Sequence, residues 1–97
     1  MEVIARFDNA TYKIVDYVSE SGLTLSITTL HAMKETRGHE HDYPEIYYIV
    51  SGAGFMDLGG KEIKLSVRDV VNIPAGVFHK VYNRRNHSLV FSCTYKK

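Results

Sequence analysis

The sequence predicts an all-β protein with a single barrel-like or sandwich-like domain, and three observations lead to this prediction. Short runs rich in valine, isoleucine, tyrosine and phenylalanine recur along the chain. Residues that favour turns, mainly glycine, proline, serine and asparagine, separate these runs. No window of helical length shows a convincing 3.6-residue hydrophobic period. Because 97 residues is the length of one small domain, we assign residues 1–97 to a single domain.

The first half of the chain is expected to supply the edge of the sheet and two further strands. Residues 12–18 are predicted to pair at an edge, and the N-terminal strand within about residues 1–20 is expected to pair with a partner subunit. In residues 23–30, leucine and isoleucine alternate with serine and threonine, which indicates a strand with one buried face. Residues 45–50 form the next predicted strand, which ends at the glycine-containing turn 51–54.

The second half is expected to contain further short strands joined by tight turns. The strand-like runs 55–58 and 61–67 flank Gly59 and Gly60. A Gly-Gly link of this kind is a strong hairpin signal, because glycine tolerates the positive φ that type I′ turns need. Three more strands are predicted, over residues 70–73, 78–82 and 89–95.

Composition and charge exclude several classes of partner and location. The net charge is +1 with histidine neutral, which is too balanced to favour nucleic acid or an acidic membrane surface as the main partner. The single cysteine, Cys93, cannot form an internal disulfide. The N-terminus lacks the basic-then-apolar order of a signal peptide, and the apolar run 46–50 is far shorter than the roughly 20 residues that span a bilayer. We therefore expect a cytoplasmic protein.

Histidine and glutamate side chains form a candidate metal site in two segments of the chain. On an extended strand His39 and His41 face the same way, and Glu45 shares their parity if that register continues through the turn at Pro44. His79 follows a tight turn and comes from a different strand. Imidazole with carboxylate suits divalent Fe, Mn, Ni, Co, Cu or Zn. The alternative is that these histidines are ordinary solvated strand residues.

These two segments resemble the two conserved motifs of the cupin superfamily. The first contains two histidines, a glutamate and a glycine at the family's spacing, His39, His41, Glu45 and Gly52. The second contains proline, glycine, histidine and asparagine at the family's spacing, Pro74, Gly76, His79 and Asn83. The resemblance is to small, single-domain cupins of the cupin-2 type and covers about residues 23–95.

This resemblance implies a fold and a set of ligands. The fold is a single cupin barrel, also described as a double-stranded β-helix or jelly roll. The implied ligands of one divalent transition metal, of unknown identity among Fe, Mn, Ni, Co, Cu and Zn, are His39, His41, Glu45 and His79. The glycines, proline and asparagine of the motifs look like turn-formers. Two family glycines are replaced here, by Met33 and Arg68, so the strand ends at those positions could be bent differently.

Other residues are weaker candidates for a role in the pocket. Tyr47 is a candidate proton donor or contact for a substrate hydroxyl, and the alternative is a core aromatic residue. His31 is a candidate acid–base group or supporting partner, and the alternative is an exposed or satisfied polar residue. Arg37 could reach a substrate carboxylate or phosphate at the mouth, whereas Cys93 is expected to be a small buried residue.

The resemblance does not select one reaction, since cupins include isomerases, epimerases, lyases, decarboxylases and dioxygenases. We expect a metal-dependent enzyme that acts on a small carbohydrate-like or carboxylate molecule by Lewis-acid chemistry. A non-catalytic ligand-binding or sensing module is the alternative, and a metal-dependent dioxygenase is a lesser one. The complete ligand set argues against a degenerate, storage-type barrel. A homodimer that binds a small-molecule substrate or ligand is expected, without nucleic acid or membrane partners.

Overall fold

The computed structural model describes residues 2–97, and they form an all-β structure of two antiparallel sheets. The strands in chain order are β1 (Glu2–Asp8), β2 (Tyr12–Val18), β3 (Thr24–Leu30), β4 (Glu45–Ser51), β5 (Gly54–Leu58), β6 (Lys61–Leu65), β7 (Val70–Ile73), β8 (His79–Tyr82) and β9 (Leu89–Tyr95). The larger sheet has the order β1-β2-β3-β9-β4-β7, and the smaller has the order β6-β5-β8. The predicted all-β class is confirmed. Within residues 2–97, no helix is long and apolar enough to cross a membrane.

The hydrophobic core lies on the inward faces of the strands. In β4 and β9 the inward residues are buried at alternate positions, as the two-residue period of a strand requires. Each buried aliphatic or aromatic side chain of this kind stabilises the fold by about 1.5–3 kcal/mol relative to its exposed state. The buried apolar side chains are Leu30, Tyr47, Ile49, Met56, Leu65, Ile73, Val81, Leu89, Phe91 and Cys93.

Strand β3 turns its hydroxyl-bearing face, not its aliphatic face, toward the interior. Thr24, Ser26 and Thr28 are buried, whereas Leu25 and Ile27 lie on the outer surface of the sheet. The predicted alternation is therefore confirmed, but the buried face is the more polar one. The reason is that this part of the barrel lines a cavity instead of a fully packed core, so hydroxyl groups can face inward without losing all contact with solvent.

The predicted hairpin at Gly59 and Gly60 is confirmed. Both glycines have positive φ, 61° and 90°, which the type I′ geometry requires at its two central positions. The Gly60 amide also donates a hydrogen bond to Asp57 Oδ1 over 2.9 Å, which closes the turn between β5 and β6. This hairpin sets the register of the smaller sheet.

Strand β2 is not at an edge, so that part of the sequence prediction was wrong. It pairs with β1 on one side and with β3 on the other, and β1 is the edge strand on that side of the sheet. The prediction failed because residues 2–8 mix charged and apolar side chains and are exposed or half-buried, which gives no clear strand pattern. Pairing with a partner subunit stays a prediction.

Asn83 ties the end of β3 to the turn that follows β8. Its Nδ2 lies 3.1 Å from the carbonyl oxygens of Leu30 and His31 and 2.7 Å from that of His87. Its Oδ1 accepts a hydrogen bond from the Arg85 amide over 3.1 Å. The side chain is almost fully buried, so these contacts satisfy polar groups that water cannot reach. Asn83 is therefore a structural residue, as its place in the second motif implied.

The two positions where the cupin motifs usually carry glycine keep a glycine-like backbone. Met33 has φ 64° and Arg68 has φ 74°, and these are the only non-glycine residues with positive φ within residues 2–97. The Arg68 turn is held by hydrogen bonds from the Arg68 amide to the Ile49 carbonyl over 2.8 Å and from the Ser66 amide to Asp69 Oδ2 over 2.8 Å. Surrounding hydrogen bonds thus hold both strand ends in the left-handed region despite the Cβ atom.

We predict that Arg68→Gly is more stable than Arg68→Ala by about 1 kcal/mol, because only glycine adopts this φ without steric strain. Both substitutions remove the same exposed guanidinium, so their difference isolates the backbone effect. Urea denaturation of the two variants gives the two free energies of unfolding. Equal stability of the two variants, or a less stable glycine variant, would show that the position is not strained.

Candidate metal centre

Backbone hydrogen bonds bring the two motif segments together. The His39 amide donates to the His79 carbonyl over 3.0 Å, and the His79 amide donates to the His39 carbonyl over 2.9 Å. This pair forms an isolated antiparallel bridge between the loop before β4 and the first residue of β8. Two residues after His39, the same loop is held by a third hydrogen bond, from the Gly76 amide to the His41 carbonyl over 2.6 Å. The positions of the histidine side chains are therefore set by main-chain contacts.

Four side chains converge on one point beside this bridge. His39 and His41 come from the loop, Glu45 is the first residue of β4, and His79 is the first residue of β8. One donor atom from each of the four lies within 4.8 Å of the others. The imidazole centroids are 4.6 to 5.1 Å apart. The structure thus brings together all four residues that the two motifs marked as ligands.

The buried atoms of this cluster lack partners that a cation would supply. Glu45 Oε1 lies 2.7 Å from His41 Nε2 and 3.3 Å from His79 Nε2. Neither approach has hydrogen-bond geometry, and both Glu45 Oε1 and His79 Nε2 are buried without a hydrogen-bond partner within residues 2–97. Glu45 is 4% exposed and His79 2%. An uncompensated buried carboxylate is strongly unfavourable, whereas coordination to a metal ion would satisfy both atoms at once.

The size and chemistry of the cluster fit one divalent transition metal. Bonds of about 2.0–2.2 Å place two donors on opposite sides of an ion about 4.4 Å apart, so a separation of at most 4.8 Å needs only a small inward shift. The donors are imidazole nitrogens and a carboxylate oxygen, and no thiolate belongs to the set. This combination suits Fe, Mn, Ni, Co, Cu or Zn and leaves coordination positions free for a ligand on an octahedral ion.

His79 is oriented for ligation by a hydrogen bond on its other ring nitrogen. Nδ1 lies 3.0 Å from the Val77 carbonyl oxygen, and a carbonyl can only accept. The Nδ1 proton is therefore fixed there, which leaves the Nε2 lone pair directed at the cluster in the neutral ring. Contacts of this type fix the tautomer and raise the basicity of a metal-binding histidine.

Electrostatic surroundings differ between the histidines. Burial and then the neighbouring His79 and His41 lower the pKa of His39, so this ring stays neutral and available as a ligand. Burial also lowers the pKa of His79, but the Glu45 carboxylate and the Val77 carbonyl outweigh it and leave that pKa raised. The buried carboxylate thus favours a positive charge beside His79, which is the charge that a bound cation provides.

His41 is held by stacking. Its ring lies parallel to Tyr43, with centroids 4.3 Å apart and an interplanar angle of 8°. Tyr43 in turn stacks on Tyr95 of β9, with centroids 5.1 Å apart. A column of three rings therefore limits the rotation of His41 at the rim of the site.

The cluster forms part of the wall of a cavity of about 420 Å³, a volume typical of small-molecule sites. Aromatic side chains supply much of the lining, Tyr12, Tyr43, Tyr47, Phe91 and Tyr95. The polar lining outside the cluster comprises Ser26, Thr28, Thr36 and Arg37. The cavity therefore combines a wall of four candidate metal ligands, an apolar body and a few hydroxyl and guanidinium groups.

Comparison with known proteins identifies the family of this chain. A family model described as Cupin domain matches residues 26–95, which is more than half of the sequence. The chain belongs to the cupin family. The match covers β3 to β9 and includes both motifs and all four residues of the cluster.

This cupin is similar to proteins of known name and structure. It is 37% identical over 54 residues to an acireductone dioxygenase from Tuber melanosporum, a match that covers 50% of this chain and 31% of the dioxygenase. A solved structure of a cupin protein from Bacteroides fragilis is 29% identical, with a TM-score of 0.73, and the match covers 78% of this chain and 66% of that one. A predicted oxalate decarboxylase from Thermotoga maritima superposes with a TM-score of 0.82 at 22% identity, covering 99% of this chain and 98% of that one. That last likeness shows the cupin fold alone.

The remaining candidate residues lie at different places in the cupin barrel. Tyr47 is buried in the cavity wall, stacked on Phe91 with centroids 5.3 Å apart and edge-on to His79 at 5.8 Å. Burial, followed by the nearby Cys93 and Glu45, raises the pKa of Tyr47 well above its ordinary value. His31 is half-buried and is not among the residues that line this cavity. The catalytic roles suggested for Tyr47 and His31 stay predictions.

Sequence reasoning identified the cluster but missed most of the opposite wall. Cys93 is buried, as expected, and burial raises the pKa of its thiol. The inward hydroxyls of Ser26 and Thr28 were not recognised as cavity residues. No local signal marked them, because the other face of β3 carries the aliphatic residues Leu25 and Ile27.

We predict that His39→Ala weakens binding of a divalent transition metal at least 100-fold, more than the 10–100-fold loss typical of supporting residues. His87→Ala serves as the matched control, because His87 is exposed and lies outside the cluster. Mass spectrometry of metal content and competition with a chelating dye measure the effect. Wild-type metal affinity in the folded His39→Ala variant would remove His39 from the ligand set.

Proposed function

We propose that this cupin is a metal-dependent enzyme that acts on a small carbohydrate-like or carboxylate molecule by Lewis-acid chemistry. The observation that carries the proposal is the position of the four-residue cluster, which forms one wall of a cavity large enough for such a ligand. His39, His41, Glu45 and His79 would hold one divalent transition metal. When bound, such an ion would polarise a carbonyl or hydroxyl oxygen of the ligand.

Residues of the chain itself would orient the ligand and supply a proton. The raised pKa keeps the Tyr47 hydroxyl protonated at neutral pH, so this group acts as a hydrogen-bond donor or general acid and not as a phenolate base. The stacked rings of Tyr47 and Phe91 make that wall apolar and limit the entry of water. The inward hydroxyls of Ser26 and Thr28 are available to a polar ligand on the β3 wall.

A dioxygenase is the second candidate, favoured by the similarity to the acireductone dioxygenase of Tuber melanosporum. The match covers only 31% of that enzyme, so its activity comes to this chain as a proposal. A non-catalytic binding or sensing module is the third outcome that the same cavity allows. The three candidates differ in what they consume. The Lewis-acid enzyme converts its ligand without dioxygen, the dioxygenase consumes dioxygen, and the binding or sensing module converts nothing.

The experiment is to load the protein separately with Fe²⁺, Mn²⁺, Ni²⁺ and Zn²⁺ and incubate it with small hydroxy acids, oxo acids and sugars. Proton NMR follows conversion, and an oxygen electrode follows dioxygen consumption. We expect metal-dependent conversion without dioxygen consumption. Tight binding without product would favour the sensing module, and metal-dependent dioxygen uptake would favour the dioxygenase.

We predict that Tyr47→Phe lowers kcat by about 10²–10⁴-fold while metal content stays unchanged, because the substitution removes only the proton donor. Tyr48→Phe is the matched control, since Tyr48 is the next residue of β4 and lies on its outer face. Steady-state kinetics on the substrate found in the screen give kcat for both variants. Equal kcat for wild type and Tyr47→Phe would make Tyr47 a core aromatic residue only.

A further inference from the structure

Arg37 occupies an irregular position in the strand-like segment that leads to His39. On its N-terminal side, the Thr36 amide donates to the Val81 carbonyl over 2.9 Å, and on its C-terminal side the His39 amide donates to the His79 carbonyl over 3.0 Å. Two residues of this segment, Arg37 and Gly38, therefore lie opposite the single residue Lys80 of β8. An extra residue of this kind is a β-bulge, which redirects side chains and is frequent beside functional sites.

The bulge places the exposed residue Arg37 among those that line the cavity, while Gly38 lies against the outer side chains of β8. Gly38 has φ 82°, and a Cβ atom at that position would lie 2.7 Å from Phe78 Cζ and 3.1 Å from Lys80 Cβ. Gly38 thus faces the outer side chains of β8, and Arg37 joins Thr36 and His39 in lining the cavity. Without the extra residue, only one residue would separate Thr36 from His39. The alternation of the strand would then place that residue on the outer surface.

Among the residues that the structure describes, Arg37 has no acidic partner. The ion pairs found within residues 2–97 join Glu45 to His41 and His79, Lys80 to Glu35, and Arg84 to Glu62, and none includes Arg37. The nearby carboxylate of Glu35 is engaged by Lys80 over 3.1 Å. The Arg37 guanidinium therefore has its donors available to a ligand in the cavity.

The charge of the cavity matches an anion. The Arg37 guanidinium is a cation, and Glu45 is the only carboxylate among the lining residues that the structure describes. A divalent ion on the cluster would leave one positive charge after Glu45 is counted, and Arg37 adds a second. The Thr36 Oγ1 accepts a hydrogen bond from the Val81 amide over 2.9 Å, which leaves its own proton free to donate to a ligand oxygen.

From these observations we propose that Arg37 binds the carboxylate of an anionic ligand whose hydroxyl or oxo group reaches the four-residue cluster. The ligand class is a small 2-hydroxy or 2-oxo carboxylate, which carries both groups on adjacent carbons. A guanidinium fork pairs with a carboxylate through two parallel hydrogen bonds, so it recognises geometry as well as charge. This assignment rests on the proposed function, since it names the substrate class of the same cavity.

The test compares lactate with lactamide, which has nearly the same shape without the charge. Isothermal titration calorimetry is run on zinc-loaded and metal-free protein for wild type, Arg37→Gln and the control Arg6→Gln, an exposed arginine on β1. We expect wild type to bind lactate at least 10-fold more tightly than lactamide. Arg37→Gln should weaken lactate binding by about 10–100-fold, as expected for loss of a charge-assisted pair, and leave zinc affinity within about 2-fold of wild type. Arg6→Gln should behave as wild type.

Two results would overturn the assignment of Arg37: equal lactate binding by Arg37→Gln and wild type, or no preference of wild type for lactate over lactamide. Failure of the metal centre on which the proposed function depends has a different signature, since the protein would then not bind zinc at the cluster, and failure of turnover alone appears only in the conversion assay. In that case the metal-free titrations decide, because the arginine contributes there without a metal. Weaker lactate binding by metal-free Arg37→Gln than by metal-free wild type would support the assignment, and equal or absent lactate binding would end it.

Discussion

The backbone bridge between His39 and His79 is the contact on which the site depends. Its two hydrogen bonds, 3.0 and 2.9 Å long, join a loop to a strand forty residues further along the chain. The bridge fixes the Cα positions of two residues of the cluster directly, and the Gly76 amide fixes the segment that carries a third, His41. Glu45 is placed by a different element, since β4 lies between β9 and β7 in the larger sheet and pairs with both. Main-chain pairing therefore sets the geometry of the cluster, through the His39–His79 bridge on one side and through β4 on the other.

The same cluster places an unfavourable group in the interior. A carboxylate that is 4% exposed, without a hydrogen-bond partner on Oε1, opposes folding in the absence of a cation. Ligands that bind only the folded state add stability by mass action, about 2.7 kcal/mol at a concentration 100 times Kd. In a chain of 97 residues, where the core is small, that contribution is a large fraction of the expected stability. Binding of a metal ion at the cluster would therefore be coupled to folding.

Much of the fold and of the cluster was predictable from local sequence signals. The Gly59–Gly60 hairpin and the strand over residues 89–95 follow from glycine's access to positive φ and from two-residue alternation. The four residues of the cluster followed from motif spacing, although the histidine pair lies in a loop bridged to β8 and not in a continuous strand with Glu45.

Features that depend on distant pairing were not predictable. The bulge at Arg37 exists only relative to β8, so no local pattern marks it. The orientation of β3 was hidden because alternation shows that a strand has two faces without showing which one meets a cavity. The left-handed backbone at Met33 and Arg68 was not predictable from these residue types, because neither favours positive φ. Hydrogen bonds to distant parts of the chain hold the backbone there.

X-ray absorption spectroscopy of the metal-loaded protein is the most direct test of the metal centre, because it counts the atoms bound to the metal. We expect three imidazole nitrogens and one carboxylate oxygen, at about 2.0–2.2 Å, with any remaining positions occupied by light atoms from solvent. Fewer than three imidazoles, or a sulfur scatterer at about 2.3 Å from Cys93, would contradict the assignment of His39, His41, Glu45 and His79 as the metal centre of this cupin.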